Sequence, residues 1–457
     1  MRLLKRYDFD LIVLGSGSGG AVGASLAAAK GKRVAIFERE TVVGGECPNW
    51  ACVPTKALLH AAHVYETVRG AAEYGVKTGP IEFNYKKVRA WKDLVVSRTG
   101  TAEGEKAFAE EGITVIKAAA KFTGSHQVTA KGKTYSAKNF LIATGTTDFV
   151  PPIAGLKQTG YITFRQAIDL PTPPKSLFVI GGGPIGCEFT QLFMSFGTKV
   201  HIADSLPRLL AKEDAEVGEL VGAILASQGV QVLAGCLVTK VERKGHQKLV
   251  HCDTGGHKRS IIVDEILVAA GKAPRLDIGL EQAGVRYSRT GIATNRQMQT
   301  SVSHIYAAGD VVGPFQFTHT ASYQSRIAAH NMYSRKKLSI NYSSLPRAVF
   351  VRPEVASAGM SEETAKANGI RVKTGAAPIA ILGRANTSND SNGFVKVITD
   401  RKGVLIGASI VAPRAGEMIH ELALAIKLKA TAQQVADQIH AFPTFSEAIK
   451  MACGAVR

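Results

Sequence analysis

The feature that most constrains the fold is a module that occurs twice. Asp10-Leu11-Ile12-Val13-Leu14 leads into Gly15-Ser16-Gly17-Ser18-Gly19-Gly20, and Leu177-Phe178-Val179-Ile180 leads into Gly181-Gly182-Gly183-Pro184-Ile185-Gly186. Each reads as an apolar strand, a G-x-G-x-x-G turn and a small-residue helix. The next strand of each module, Val34-Ala35-Ile36-Phe37 and Val200-His201-Ile202-Ala203, ends in an acid, Glu38 or Asp204. Both acids lie 23 positions beyond the first glycine of their module. The glycines let backbone approach a pyrophosphate at a helix N-terminus, and the acid accepts hydrogen bonds from ribose hydroxyls. One such motif is weak evidence, but two with one offset predict an α/β chain with two doubly wound dinucleotide-binding domains.

Just past the first module stands Gly44-Gly45-Glu46-Cys47-Pro48-Asn49-Trp50-Ala51-Cys52-Val53-Pro54-Thr55-Lys56. A zinc site wants closer cysteines and a second ligand pair, so the spacing of Cys47 and Cys52 favours thiol chemistry and no metal is expected. Pro54 suits the first position of a helix through Lys56, Leu58, Leu59 and Ala62, which sets Cys52 at the positive end of the helix dipole. A thiolate is stabilised there. The competing reading is a pair of buried structural thiols that never join.

A chain of 457 residues with 45% apolar and 20% charged residues is an ordinary globular protein of two to four domains. Six cysteines without regular spacing do not make a secreted disulfide scaffold, so a reducing cytoplasm is the expected home. Met1 to Arg6 looks like the start of a signal peptide, but Leu11 to Leu14 runs into the glycine turn without a cleavage pattern. No apolar run is long enough to span a membrane. The net charge of +19 raises nucleic-acid or acidic-membrane binding. The basic residues are scattered, in short clusters such as Lys86-Lys87 and Arg335-Lys336-Lys337, which argues for a solvated positive surface instead.

Pro151-Pro152 and Pro171-Thr172-Pro173-Pro174 punctuate the passage into the second module, which begins near Val150. From about Tyr342 the pattern mixes strands, Ala348 to Val351 and Phe394 to Thr399, with a helical stretch from Ala415 to Lys429. The expected division is 1–149, 150–273, 274–341 and 342–457, the first and third parts forming one domain and the last an α+β domain.

Seven motifs in order, from the Gly15 turn through Cys47 and Cys52, Ala143-Thr144-Gly145, the Gly181 turn, Ala269-Ala270-Gly271, Ala308-Gly309-Asp310 and Gly393-Phe394-Val395-Lys396, make the chain resemble the pyridine nucleotide-disulfide oxidoreductases. That group includes dihydrolipoamide dehydrogenase, glutathione reductase and mercuric reductase, and the resemblance covers essentially the whole length. It implies that Gly15, Gly17, Gly20, Glu38, Gly45, Thr144, Gly145, Gly309 and Asp310 hold FAD, with Asp310 on the ribityl chain. Gly181, Gly183, Gly186, Asp204 and Gly271 then hold the nicotinamide cofactor. A carboxylate at Asp204 favours free ribose hydroxyls, so NADH is expected over NADPH, although Arg208 lies near enough to receive a 2′-phosphate. The resemblance further implies a redox-active Cys47-Cys52 disulfide with Cys52 facing the flavin and Cys47 exchanging with substrate, a Lys56 and Glu188 ion pair beside the ring, and a homodimer. Without the resemblance, Lys56 reads as a solvated helix lysine and Glu188 as a helix-surface acid.

The C-terminal end departs from the family. Disulfide-reducing members carry a histidine immediately before Pro-Thr and a glutamate five positions after it. Here the run is His440-Ala441-Phe442-Pro443-Thr444-Phe445-Ser446-Glu447. Glu447 keeps its place, but Phe442 cannot carry a proton. His440 stands two residues early, either packing or taking over the acid/base role. The acceptor is therefore left among small disulfides, quinones and metal ions. Cys453, alone near the end, either reaches a partner's site or is an inert thiol. A second class of function, a flavin-bound redox sensor or a nucleic-acid-associated protein of this fold, is kept open by the charge.

Overall fold

The computed structural model describes residues 7–99 and 103–457, so the signal-like segment Met1 to Arg6 lies outside the described residues. The chain forms two compact units. The first comprises 1–58, 86–149 and 271–340; the second comprises 59–85, 150–270 and 341–457.

In the first unit the strand Phe9–Leu14 lies between Val34–Glu38 and Lys133–Ile142, parallel to both, with Leu11 opposite Val34 and Leu14 opposite Ile142. Ile113–Lys117 extends one side, and Ile305–Ala307 joins Lys133–Ile142 on the other. Both sheet faces are covered, which is why Leu11 to Leu14 is an unbroken apolar run. Ile12 and Leu14 pack with Phe37, Phe140 and Ile305, while Leu11 and Val13 pack with Ala24, Ala27, Ile327 and Ala328. The second set comes from the fingerprint helix Ser18–Ala28 and the helix Thr318–Tyr333.

The second unit repeats the plan. Ser176–Ile180 pairs in parallel with Lys199–Asp204 and Glu265–Val268, and Gln231–Ala234 adds to the outer side. A three-stranded antiparallel sheet, Cys236–Lys244, Gln247–Thr254 and His257–Val263, follows. The C-terminal part is a five-stranded antiparallel sheet backed by Ala415–Leu428 and Glu447–Gly454, whose core includes Ile379, Val395, Ile410, Leu422 and Ile449. The fold is thus two doubly wound α/β parts with an appended α+β part. Two expected element bounds move. The strand sought at Ala348 to Val351 is Pro346–Val349, because a proline without an N–H is tolerated at the start of an edge strand. The cysteine helix runs Cys52–Gly70, so Pro54 is its third residue rather than its first; the first four N–H groups lack helical partners, and proline costs nothing there.

Candidate active site

The first fingerprint is built by steric exclusion. A Cβ on Gly15, at φ +104°, would stand 2.3 Å from the Ala143 carbonyl oxygen, and one on Gly20 would stand 1.8 Å from that of Gly15. The second fingerprint repeats this: a Cβ on Gly181, at φ +112°, would lie 2.4 Å from the Ala269 oxygen, and one on Gly186 would lie 1.9 Å from the Gly181 oxygen. The middle glycines differ in purpose. A Cβ on Gly183 would project into open space, and one on Gly17 would meet only Gly45 at 3.6 Å. Those are cradles that a side chain would fill. The helices that follow, Ser18–Ala28 and Pro184–Ser195, begin without a side-chain cap, so their first N–H groups remain available to an anion. Both cradles fit a dinucleotide pyrophosphate.

The two acids hold their own loops. Glu38, 5% exposed, accepts from the Ser16 N–H at 3.0 Å and the Ser16 hydroxyl at 2.6 Å, and its other oxygen accepts from the Glu40 N–H at 2.9 Å. Asp204 accepts from the Gly182 N–H at 2.6 Å and the Leu206 N–H at 2.8 Å. A carboxylate has about four acceptor sites, so each can stiffen its turn and still receive a ribose hydroxyl.

Ser16 also links the fingerprint to the cysteines, because its oxygen accepts from the Gly44 N–H at 3.0 Å. Gly45, at φ +73°, lies so close to Gly17 that an added Cβ would stand 2.6 Å from the Gly17 Cα. The Asn49 amide then donates to the Val43 and Gly45 carbonyls at 2.9 and 2.8 Å, holding the short helix Glu46–Asn49 against this turn. Cys47 is thereby placed beside the first cradle. Cys52 opens the next helix, and its sulfur lies 3.7 Å from the Thr318 hydroxyl. Both cysteines are free thiols here, the form in which the pair would act as a dithiol. The hydrogen bond to Cys52, burial and the charge of Cys52 push the Cys47 thiol well above the usual thiol range, while Thr318 and the Lys56 ammonium act in the opposite direction. Lys56 is partly buried one turn along the same helix.

Around the dithiol the unit collects charge. Lys272 pairs with Glu46 at 2.8 Å and with Asp148 at 2.9 Å, and its side chain is 12% exposed. Burial, and then the Glu46 charge, raise Asp310 to about 6. Thr144 donates to the Arg275 carbonyl at 3.0 Å, and the Gly145 carbonyl accepts from the Arg275 N–H at 3.0 Å. The Gly271 carbonyl accepts from the Phe149 N–H at 2.9 Å, and the Gly309 N–H donates to buried Gln324 at 2.6 Å. Ser16, Glu46, Asp148, Lys272, Thr318 and Gln324 were not indicated by the sequence. Only Glu46 carried any signal, from its place beside Cys47.

The remaining predicted residues lie in the second unit. Glu188, 5% exposed in the second fingerprint helix, accepts from the Phe350 N–H at 3.0 Å, so it is no surface acid. His440 is held by Glu421 at 2.9 Å and the Gln438 carbonyl at 3.1 Å, with its side chain 6% exposed. Phe442 is 78% exposed. Glu447 accepts from the Thr444 N–H at 3.1 Å. Cys453 is buried, and that burial lifts its thiol to about 12. Among the described residues no group of three His, Cys, Asp or Glu side chains could hold a metal ion, and no helix is long and apolar enough to cross a membrane.

Residues 9–325 match the family described as pyridine nucleotide-disulphide oxidoreductase, and residues 345–453 match its dimerisation domain. A dihydrolipoyl dehydrogenase of Thermus scotoductus is 36% identical over 98% of this chain and 97% of its own length. A mercuric reductase of Staphylococcus aureus is 33% identical over 97% of this chain and 82% of its own length. The solved Cu(II) complex of the HOCl-induced flavoprotein disulfide reductase RclA from Escherichia coli superposes with a TM-score of 0.88, at 27% identity over 99% of this chain and all of that one. The dimerisation domain supports assembly as a homodimer. The chain belongs to the pyridine nucleotide-disulphide oxidoreductases, as an FAD-dependent enzyme that uses NAD(P)H.

Proposed function

We propose that this enzyme passes electrons to a thiophilic metal ion met by the Cys47 and Cys52 sulfurs, rather than to a lipoamide-type disulfide. The observation that carries this is Phe442, an exposed phenyl ring before Pro443-Thr444, while the nearby His440 is tied to Glu421 and Gln438. A departing substrate thiolate needs a proton, and neither group supplies one. A metal ion that takes up an electron needs no proton, and thiolates favour the soft Cu(I) that reduction of Cu(II) gives. The Cu(II) bound to the Escherichia coli reductase and the mercuric reductase relatives support the same choice.

Bound FAD supplies the two-electron chemistry between nicotinamide and dithiol, and Gly15, Gly17, Gly20, Glu38, Gly45, Thr144, Gly145, Gly309 and Asp310 would hold it. The chain's own part is to order two sulfurs. Cys52, at the start of its helix and near the Thr318 hydroxyl, takes the negative charge first. Cys47 keeps its proton until a cation displaces it. Two Cu(II) ions reduced to Cu(I) balance two thiols converted to one disulfide, with two protons released. Lys56 stabilises negative charge beside the dithiol, Glu188 acts in the second unit on the helix that carries Gly186, with Gly181 and Gly183 in the turn before it, and Gly271 would serve the nicotinamide cofactor from the start of the last segment of the first unit. His440 and Glu447 pack the C-terminal loop in this reading.

Asp204 and the engagement of Arg208 with Glu363 at 2.9 and 2.8 Å support NADH as the donor. The division at 150, 274 and 342 and a reducing cytoplasmic home belong to the same proposal. The test is anaerobic: protein reduced with NADH is offered Cu(II), with a Cu(I)-specific chelator as readout, and lipoamide in parallel. Cu(I) should appear in a Cys47-dependent way, and lipoamide turnover comparable to copper turnover would reverse the assignment.

A further inference from the structure

The loop 205–214 leaves the acid of the second fingerprint and leads to the helix Ala215–Ser227. It is pinned along its length. At its start Asp204 bonds Gly182 and Leu206, and in its middle the Leu210 N–H, with Leu210 in the left-handed region at φ +48°, donates to the Gly182 carbonyl at 2.8 Å. At its end Glu213 pairs with Arg347 at 3.2 Å, and Asp214 accepts from the Ser409 hydroxyl at 2.6 Å and the Glu362 N–H at 2.9 Å. The C-terminal part of the unit thus fixes the loop that follows the ribose-facing acid.

Arg208 is the one arginine in this loop. Its Nη2 donates to both oxygens of Glu363 at 2.9 and 2.8 Å, and its stem lies so near Gly218 that a Cβ there would stand 3.2 Å from the Arg208 Cγ and Cδ. The Arg208 side chain is 19% exposed and its Nε is buried with no hydrogen-bond partner, so the pairing leaves a donor unused. Glu363 is 57% exposed and faces water with the rest of its charge. A ribose 2′-phosphate is a dianion recognised by guanidinium forks. Here the available fork is already occupied by a carboxylate that the same phosphate would have to displace.

The geometry points to Glu363 as a specificity-determining residue: by holding and neutralising Arg208 it denies the second fingerprint the loop's one guanidinium for a 2′-phosphate and so reinforces the choice of NADH made by Asp204. This rests on the reading that the second fingerprint holds the nicotinamide cofactor with Asp204 at the adenosine ribose. Removing the Glu363 charge frees Arg208 and leaves the backbone anchors of the loop in place.

The test uses the purified holoenzyme and two probes, 2′-phospho-AMP and AMP, with dissociation constants from calorimetry, alongside kcat/KM for NADPH and NADH. Glu363→Gln should tighten 2′-phospho-AMP by about three- to fivefold, the worth of one partly exposed charge contact, while AMP changes less than about twofold. Adding Arg208→Ala should abolish that gain. The NADPH to NADH ratio should rise in parallel. An unchanged probe ratio in Glu363→Gln, or an equal gain with and without Arg208, overturns the inference. A wild-type protein that already prefers 2′-phospho-AMP overturns the NADH reading itself, whatever Glu363→Gln then does. A thermal melt of Glu363→Gln matching wild type excludes misfolding as the source of either result.

Discussion

Replacing Asp310 by Asn should make the apoprotein more stable and its hold on FAD weaker. Asp310 sits beside Gly309 under a protein shell, with the Glu46 carboxylate as its like-charged neighbour and Lys272 already shared between Glu46 and Asp148. Its carboxyl is raised from 3.8 to about 6. A carboxyl whose folded pKa lies above its unfolded one holds its proton more firmly when folded, so stability falls as pH rises from near 4 and the loss is complete above about 6. At about 1.4 kcal/mol per pH unit, the ionised side chain costs roughly 2 to 3 kcal/mol at pH 8. Asn carries no such cost. Urea titrations of the FAD-stripped protein should show Asp310→Asn more stable than wild type by that order at pH 8, with the advantage gone at pH 4.

The cofactor should respond in the opposite sense. A charged acceptor facing a polyol hydroxyl is worth about 1.5 to 3 kcal/mol, so FAD affinity should drop about tenfold or more in the variant. Flavin fluorescence on titrating the stripped protein reads this directly. A variant that is less stable than wild type at pH 8, or one that gains stability equally at pH 4 and pH 8, would refute the electrostatic argument. Unchanged FAD affinity would remove Asp310 from the cofactor site while leaving the stability argument intact.

Four further outcomes follow from the same geometry. Gly20→Ala should purify colourless, because its Cβ would stand 1.8 Å from the Gly15 oxygen, whereas Gly186→Ala should stay yellow yet lose NADH-driven flavin reduction. On two-electron reduction a long-wavelength absorbance band should survive Cys47→Ser and vanish in Cys52→Ser; the reverse pattern exchanges the two roles. Leu424→Glu with Leu428→Glu, both exposed in this chain, should shift the protein toward monomer in sedimentation, and an intact dimer would place the interface elsewhere. Phe442→His should raise lipoamide turnover by up to about a hundredfold, since one Glu447 oxygen bonds Thr444 and the other can orient a ring; no gain would show that the missing imidazole is not what limits disulfide substrates.

What the sequence made legible was whatever is enforced within a few residues. The close carbonyls behind Gly15, Gly20, Gly181 and Gly186 forbid any other side chain, so the fingerprints announce themselves and with them the two doubly wound parts. Helix and strand starts slipped by two residues at Cys52 and Pro346, because proline fits several positions of a helix's first turn and also the first position of an edge strand. Partners distant in sequence left no trace. Thr318 stands 266 positions from the Cys52 it touches, and Lys272 reaches Asp148 across 124. Arg208 shows the limit most sharply. From the sequence it is a cation close to Asp204 and a reason to admit NADPH, yet its partner is an acid 155 positions on, brought beside it only when the C-terminal sheet folds. The Phe442 substitution is the converse case. A missing proton donor can be read from one residue, but its meaning depends on whether the fold supplies another, and His440, two positions away, is held in place by Glu421 and the Gln438 carbonyl. On the proposed function, a chain that keeps both thiols, Lys56 and Glu188 while losing the acid keeps the electron path and gives up the group that only a thiol product requires.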